Sequence, residues 1–243
     1  MIDNGNSNVG MERLVVLGHT GFVGGRLVEH FGQRYPGLEV IGLSSREIDL
    51  TQTEAATQLR EFLGPNTGVI MCSGIKSNFG SNLETYGRNL SMARNVCHAI
   101  SETKIRRFLF FSSIAVYGVD RHDVGITEET PIVADTFYGL AKHHSEELLS
   151  LTFEQMEESD LIILRTPTVY GPNEKIIAPT PSGFLTTFMD DGQVSVWGDG
   201  GELREFLFVD DLLQVVDGLF NERYSGILNV SSGSGQSYQD ALD

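Results

Sequence analysis

Leu14-Val-Val-Leu-Gly-His-Thr-Gly-Phe-Val-Gly24 is the stretch whose reading decides the fold. Leu14–Leu17 is a short apolar run of the kind that forms a buried strand. Gly18, Gly21 and Gly24 follow at three-residue spacing, and an amphipathic pattern then predicts a helix over Phe22–Arg34, stopped by Pro36. A glycine-rich turn between a strand and a helix has a defined physical use. The first glycine permits a tight turn, the second lets the backbone approach a pyrophosphate, and the third lets helix and strand pack closely. Backbone around Gly18, Thr20, Gly21, Phe22, Val23 and Gly24 then faces a dinucleotide, with helix N–H groups turned to its anion.

Downstream, strand and helix signals alternate. Glu39–Leu43 reads as a second strand, and Thr51 to Glu54 reads as a capping box opening a helix to about Leu63. Gly68–Cys72 is a third strand, 82–101 a long helix, 106–112 a fourth strand, 136–158 a further helix and Leu161–Leu164 a fifth strand. Such alternation predicts an α/β chain with a Rossmann-type, doubly wound parallel sheet. After Arg165 the rhythm breaks, and 171–205 is rich in Gly, Pro and Thr. The expected organisation is a dinucleotide-binding domain over 12–165, with 206–225 returning to it. Residues 166–205 and 226–243 would form a small C-terminal substrate-binding lobe.

Composition narrows the classes. A chain of 243 residues with 40% apolar residues and 27 glycines suits a turn-rich globular protein with a sizeable core. A net charge of −16 argues against general binding to nucleic acid or anionic membranes, which need basic surface. Cys72 and Cys97 are too few for a disulfide framework or a thiolate metal site, so no metal is expected. No segment approaches the ~20 apolar residues of a membrane span. Residues 1–10 lack a basic start and an apolar stretch, so no signal peptide is expected, and the setting read from all this is the cytoplasm.

Two further sites carry chemistry. The second strand ends in Ser44-Ser45-Arg46, where an NAD site would usually place an acid for the adenosine ribose. Ser45 and Arg46 suit a 2′-phosphate instead, which favours NADP, with NAD as the alternative. Asp49, beside Leu50, either accepts from the adenine amino group or caps the helix at Thr51. Further on, Tyr138-Gly-Leu-Ala-Lys142 places a phenol and an ammonium on one helix face, and Ser113 closes the fourth strand. A tyrosine near pKa 10 is a poor base at neutral pH, and a nearby ammonium favours its phenolate. Tyr138 would then transfer the proton, Ser113 would orient a hydroxyl or carbonyl, and Lys142 would also hold the nicotinamide ribose.

These motifs, with Phe110-Phe-Ser-Ser-Ile-Ala-Val-Tyr-Gly118, Leu164-Arg-Thr-Pro-Thr-Val-Tyr-Gly-Pro172, Arg204-Glu-Phe-Leu-Phe-Val-Asp-Asp211 and Asn229-Val-Ser-Ser-Gly233, run in one order over 13–235. The chain resembles the extended short-chain dehydrogenase/reductase family, the NAD(P)-dependent epimerase/dehydratase group acting on nucleotide sugars. The resemblance implies that Cys72, Ser73 and Gly74 pass the cofactor along the third strand. It also implies that Lys76 and Asn89 lie near the cofactor and that Arg204 contacts the substrate pyrophosphate, unless it bridges to Asp210 or Asp211. Thr168 stands at a substrate position where many epimerases have Asn. Phe184 to Phe188 and Trp197 either line the nucleotide side of the pocket or simply pack. A homodimer through the helices at 82–101 and 136–158 is the expected assembly.

The departures select among activities. Sugar 4,6-dehydratases carry an acidic pair where Ile114-Ala115 stand here, so elimination is disfavoured. GDP-fucose synthases add a Cys and a His where this chain has Ile114 and Asn173. The chain also stops soon after Asn229, short of the family's usual C-terminal substrate elements. The leading expectation is an NADPH-dependent 4-keto-sugar reductase acting on a nucleotide sugar. An NAD-dependent 4-epimerase is the alternative, and a non-catalytic NADP-binding regulatory or assembly module is the alternative of another class.

Overall fold

β1 (Arg13–Leu17) sends alternate residues to opposite faces of a sheet, and both faces are covered. Val15 and Leu17 join one apolar layer, while Leu14 and Val16 join the other. This double burial explains why its sequence is continuously apolar rather than alternating. β3 (Thr67–Met71), β4 (Arg107–Ser113) and β5 (Asp160–Thr166) follow the same logic. With β2 (Glu39–Leu43) and β8 (Gly226–Asn229) they form a six-stranded sheet ordered β2-β1-β3-β4-β5-β8, every neighbouring pair parallel. The computed structural model describes residues 10–76, 80–118, 125–174, 180–194, 200–201 and 203–240.

Helices cover both faces. α2 (Ala55–Arg60), α3 (Leu83–Ser101) and α4 (Phe137–Phe153) pack Leu59, Val96, Ile100, Leu149 and Phe153 into one layer. α1 (Phe22–Arg34) and α6 (Val209–Asn221) pack Leu27, Phe31, Leu212, Val216 and Phe220 into the other. α3 starts on a reciprocal cap: Thr85 N donates to Asn82 Oδ1 at 3.0 Å, and Asn82 N donates to Thr85 Oγ1 at 3.2 Å. Because β2 and β3 lie on opposite sides of β1, strand order reverses there. A crevice therefore opens at the carboxyl ends of β1 and β3, where such sheets bind ligands.

A second, three-stranded sheet is formed by β6 (Thr168–Tyr170), β7 (Leu203–Phe208) and β9 (Gly235–Ser237). Beside it α5 (Pro181–Asp191) contributes Phe184 to a small cluster with Phe206 and Tyr238.

Several elements depart from the sequence reading. The residues given to the lobe at 226–229 instead extend the main sheet along β5, where Ile227 pairs with Ile163. Of the returning segment, α6 packs on the main sheet, but β7 belongs to the second one. The helix expected from Thr51 to Leu63 shrinks to Ala55–Arg60, because Thr51 is held by Asp49 rather than by Glu54. The helix expected over 136–158 ends at Phe153. The loop-rich 171–205 contains α5, with Thr180 as its cap, Pro181 in its first turn and a left-handed Gly192 closing it.

Candidate active site

The glycine turn sits at the crevice. Gly18 has φ +90, and a Cβ there would lie 2.9 Å from the Ser73 backbone nitrogen, so only glycine suits both the conformation and the space. The turn is tied sideways: Gly18 N donates to Leu43 O at 2.7 Å, and Cys72 N donates to Leu17 O at 2.9 Å. α1 begins after Gly21, which offers no capping side chain, and its first turn holds no acidic residue. The N–H groups of Phe22, Val23 and Gly24 thus lack intrahelical acceptors and point from the positive end of the helix. That donor set fits a dinucleotide's pyrophosphate. Thr20 is exposed on the same turn.

At the end of β2 the local chemistry is more specific than its sequence. Glu47 Oε2 accepts from Ser44 N at 2.8 Å and from Ser44 Oγ at 2.7 Å, and these bonds hold its carboxyl below the usual range. The acid nearest the strand end is therefore committed to folding the turn, while Ser45 and Arg46 stay exposed. Asp49 turns to Thr51 without capping a helix, since α2 starts only at Ala55: its Oδ1 accepts from Thr51 N at 3.0 Å and Thr51 Oγ1 at 2.7 Å. The Leu50 side chain is buried in the core layer beneath.

The second half of the site is built where β4 meets α4. Thr136 caps α4 by accepting from Gly139 N at 3.0 Å, which fixes the turn carrying Tyr138. Lys142, 7% exposed, donates from Nζ to Phe111 O at 2.6 Å and lies 4.7 Å from the Phe110 ring centroid. Ser113 lies beside Tyr138, and its Oγ accepts from Ala115 N at 3.2 Å. Burial pushes the Tyr138 phenol up to about 12, partly opposed by Ser113. Burial pulls the Lys142 ammonium down to about 8, while Cys72 and Glu146 favour its charged form and Lys76 opposes it. In the protein alone, burial dominates over any lowering of the phenol by Lys142. The lysine is turned to a backbone carbonyl, desolvation dominates, and the phenol is held protonated.

The loop after β3 completes the crevice. A Cβ on Gly74 would lie 3.4 Å from Lys142 Nζ, so Gly74 keeps space open in front of the ammonium. Asn89 clamps this loop, accepting from Ile75 N at 2.8 Å and donating to Ile75 O at 3.0 Å. One donor and one acceptor of its amide are thus spent on shaping this loop. Burial pushes the Cys72 thiol up to about 12, a neutral group beside Lys142. Lys76 is exposed at the loop's far end. The glycine turn, this loop and the trio all lie at the carboxyl end of the sheet, as a dinucleotide and a second reactant require.

The residues match the NAD dependent epimerase/dehydratase family over 14–230. The chain belongs to that family. Among relatives of this epimerase/dehydratase-family enzyme, GDP-L-colitose synthase of Yersinia pseudotuberculosis is 25% identical, spanning 93% of this chain and 78% of the relative. GDP-L-fucose synthase 1 of Arabidopsis thaliana is 28% identical, spanning 92% and 73%. The fold is shared with ADP-L-glycero-D-manno-heptose-6-epimerase of Helicobacter pylori, with a TM-score of 0.83 at 19% identity, covering 99% of this chain and 82% of that one.

The expected substrate-side residues of the family enzyme are more dispersed. Thr168 is exposed on β6, and Arg204 on β7 donates from Nε to Tyr238 at 3.2 Å. Asp210 pairs with Arg26 of α1. Phe184 is buried in the lobe cluster, whereas Phe188 is exposed. Trp197 lies outside the described residues.

Sequence reasoning missed a buried network directly under the trio. Arg165 and Glu146 side chains are each 2% exposed and pair through two bonds, Nη2 to Oε2 at 2.7 Å and Nε to Oε1 at 3.1 Å. Ser112 Oγ also donates to Glu146. Arg165 Nη1 donates to Tyr117 OH at 2.8 Å, and that hydroxyl donates to Asn229 Oδ1 at 2.8 Å. The available signal was Glu146 at four residues beyond Lys142, on the same helix face.

Proposed function

We propose that this family enzyme reduces a 4-keto nucleotide sugar with NADPH. The observation that carries the reading is Tyr138 beside buried Lys142, with Ser113 at the end of β4, at the same crevice as the glycine turn. Bound NADPH supplies the hydride. The chain's own residues do the rest. Phe22, Val23 and Gly24 N–H groups hold the pyrophosphate, Ser45 and Arg46 the 2′-phosphate, and Lys142 the nicotinamide ribose. Ser113 orients the carbonyl. Tyr138, kept protonated by burial, donates the proton that completes the alcohol, which suits a reductant better than an oxidant. Relatives named for GDP-L-colitose and GDP-L-fucose synthesis make a nucleotide sugar the substrate class to test first. Arg204 and Thr168 are the proposed substrate contacts.

The same trio would serve a 4-epimerase. Arg46, with Glu47 tied to Ser44, favours NADPH and hence reduction. Assembly as a homodimer through α3 and α4 is part of the reading, supported by exposed Leu83, Leu148 and Leu151 on that pair. Cytoplasmic residence is also part of it, supported by free thiols at Cys72 and Cys97.

The test combines nucleotide titration with turnover on a panel of 4-keto nucleotide sugars. NADPH should bind more tightly than NADH, and Arg46→Ala should erode the difference, each charge-assisted contact being worth roughly 1.5–3 kcal/mol. Tyr138→Phe should bind NADPH normally and lose ~10²–10⁴ in rate. Tighter NADH binding would sink the NADPH assignment. NADPH binding with no reduction anywhere in the panel would point to a non-catalytic module.

A further inference from the structure

α4 docks on the carboxyl end of β4 through three successive residues of the strand. Lys142 reaches the Phe111 carbonyl, Glu146 takes the Ser112 hydroxyl, and Tyr138 lies beside Ser113. Tyr138, Lys142 and Glu146 are spaced four residues apart, so they form one line along the helix face turned to the strand. Glu146 is a carboxylate with 1% exposure, and water does not compensate it. Its partner Arg165 is the residue paired with Ser112 in the β4–β5 ladder. Arg165 in turn holds Tyr117, the last residue of the 3-10 turn (Ile114–Tyr117) that leaves Ser113. Tyr117 is anchored on Asn229, the partner of Arg165 in the β5–β8 ladder. The network therefore reaches three strands, α4 and the turn behind Ser113.

We propose that Glu146 is a positioning residue for the reaction, setting the charge carried by Lys142, with Arg165 as the counterweight that limits its pull. The Glu146 carboxyl lies one helical turn behind the lysine on the same face, and Arg165, paired to it through two bonds, offsets part of its field. Glu146 favours the ammonium, as the shift at Lys142 already registers. The other groups acting on Lys142 come from β3 and the loop after it: the Cys72 thiol, which is neutral near neutral pH, and the exposed Lys76, which disfavours the ammonium. From its own helix Tyr138 faces it as a neutral phenol, and from α3 Asn89 contributes an uncharged amide. Within this set Glu146 is the group ion-paired to a buried arginine. A pair serving packing alone would hold the strands together and leave the lysine's titration where it is.

This inference rests on the proposed role of Lys142, but its test does not. The chain has four lysines, at 76, 104, 142 and 175, so side-chain NMR of lysine-labelled, nucleotide-free protein can follow Lys142, assigned by its loss in Lys142→Met. In the native chain the midpoint should lie near 8. Glu146→Gln, which keeps hydrogen-bonding atoms and removes the charge, should move it down by about one pH unit. Arg165→Met should move it up, and Glu146→Asp should restore it. In a reductase assay, the alkaline limb of the rate profile should move in the same directions. Opposite displacements by the two single variants support the proposal even if no substrate is found, which would count only against the reductase reading. Unmoved midpoints, movement in one common direction, or unfolding of both single variants would mark the pair as a structural staple and overturn it.

Discussion

Gly24→Ala and Gly32→Ala make the same chemical change in the same helix, and the structure gives them opposite signs. In an open helix interior, alanine is better than glycine by about 0.8–1.0 kcal/mol. Gly32 is exposed, with no heavy atom within 4 Å of its would-be Cβ, so Gly32→Ala should gain that amount. A Cβ on Gly24 would overlap the Gly18 carbonyl oxygen and lie 2.9 Å from its carbon and 3.0 Å from His19 Cα. All three atoms are backbone, held by the Gly18 N–H bond to Leu43, and no side chain can swing away. Overpacking of this kind costs about 1–3 kcal/mol, which exceeds or cancels the helical gain. With about 2–4 °C per kcal/mol for a chain of this size, thermal melting should separate the two variants clearly. The displacement must also move the turn that meets the pyrophosphate. NADPH titration should therefore weaken for Gly24→Ala and stay unchanged for Gly32→Ala. Native-like melting and NADPH affinity in Gly24→Ala would refute the close-packing argument and, with it, the assignment of this turn to the phosphates.

Lys142 gives a pH signature of stability. Its folded pKa is about 8 because burial disfavours the ammonium, against ~10.4 in the unfolded chain. Between these values the unfolded state binds the extra proton, so stability should rise as pH climbs from about 8 to about 10. The Tyr138 phenol, pushed by burial to about 12, acts oppositely above its unfolded value of ~10, where the unfolded chain loses its proton first. Melting curves of the native chain and of Lys142→Met, compared across this range, should differ by that rise. At the exposed helix pair, Leu151→Glu should convert a dimer to monomers in sedimentation velocity without loss of helical signal. A native chain that sediments as a monomer would end the dimer proposal.

The parts legible in the sequence were those encoded within one strand–turn–helix unit. Gly18, Gly21 and Gly24 marked the tight turn from β1 into α1, and α1 and β2 fall on the residues their patterns indicated. Tyr138 and Lys142 declared themselves by helical spacing, with Ser113 at a strand end. What escaped depended on partners distant in the chain or on competition between near-equivalent local choices. Glu146 and Arg165 meet only because the crossover from β4 through α4 to β5 brings them together. Thr51 could pair with Glu54 or Asp49, and the carboxylate two residues before it won. α5 was legible in retrospect: Thr180, Pro181 and Gly192 are the ordinary start and stop signals, hidden in a stretch whose composition reads as loop.

The same burial acts on both members of the Tyr138–Lys142 pair and moves them toward each other's uncharged form. Near neutral pH a phenol pushed to about 12 is uncharged, while an ammonium pulled to about 8 keeps most of its charge. A neutral tyrosine is ready to give a proton, whereas an oxidative cycle needs it to take one. Reaching phenolate would require a positive charge that the chain directs elsewhere, since Lys142 Nζ is bound to the Phe111 carbonyl. The groups that could restore that charge balance are the nicotinamide ring in its oxidised form and, through Lys142, the buried Glu146–Arg165 pair. The charge on Lys142 is thus set first by its burial, with Glu146 beneath α4 acting in the opposite sense.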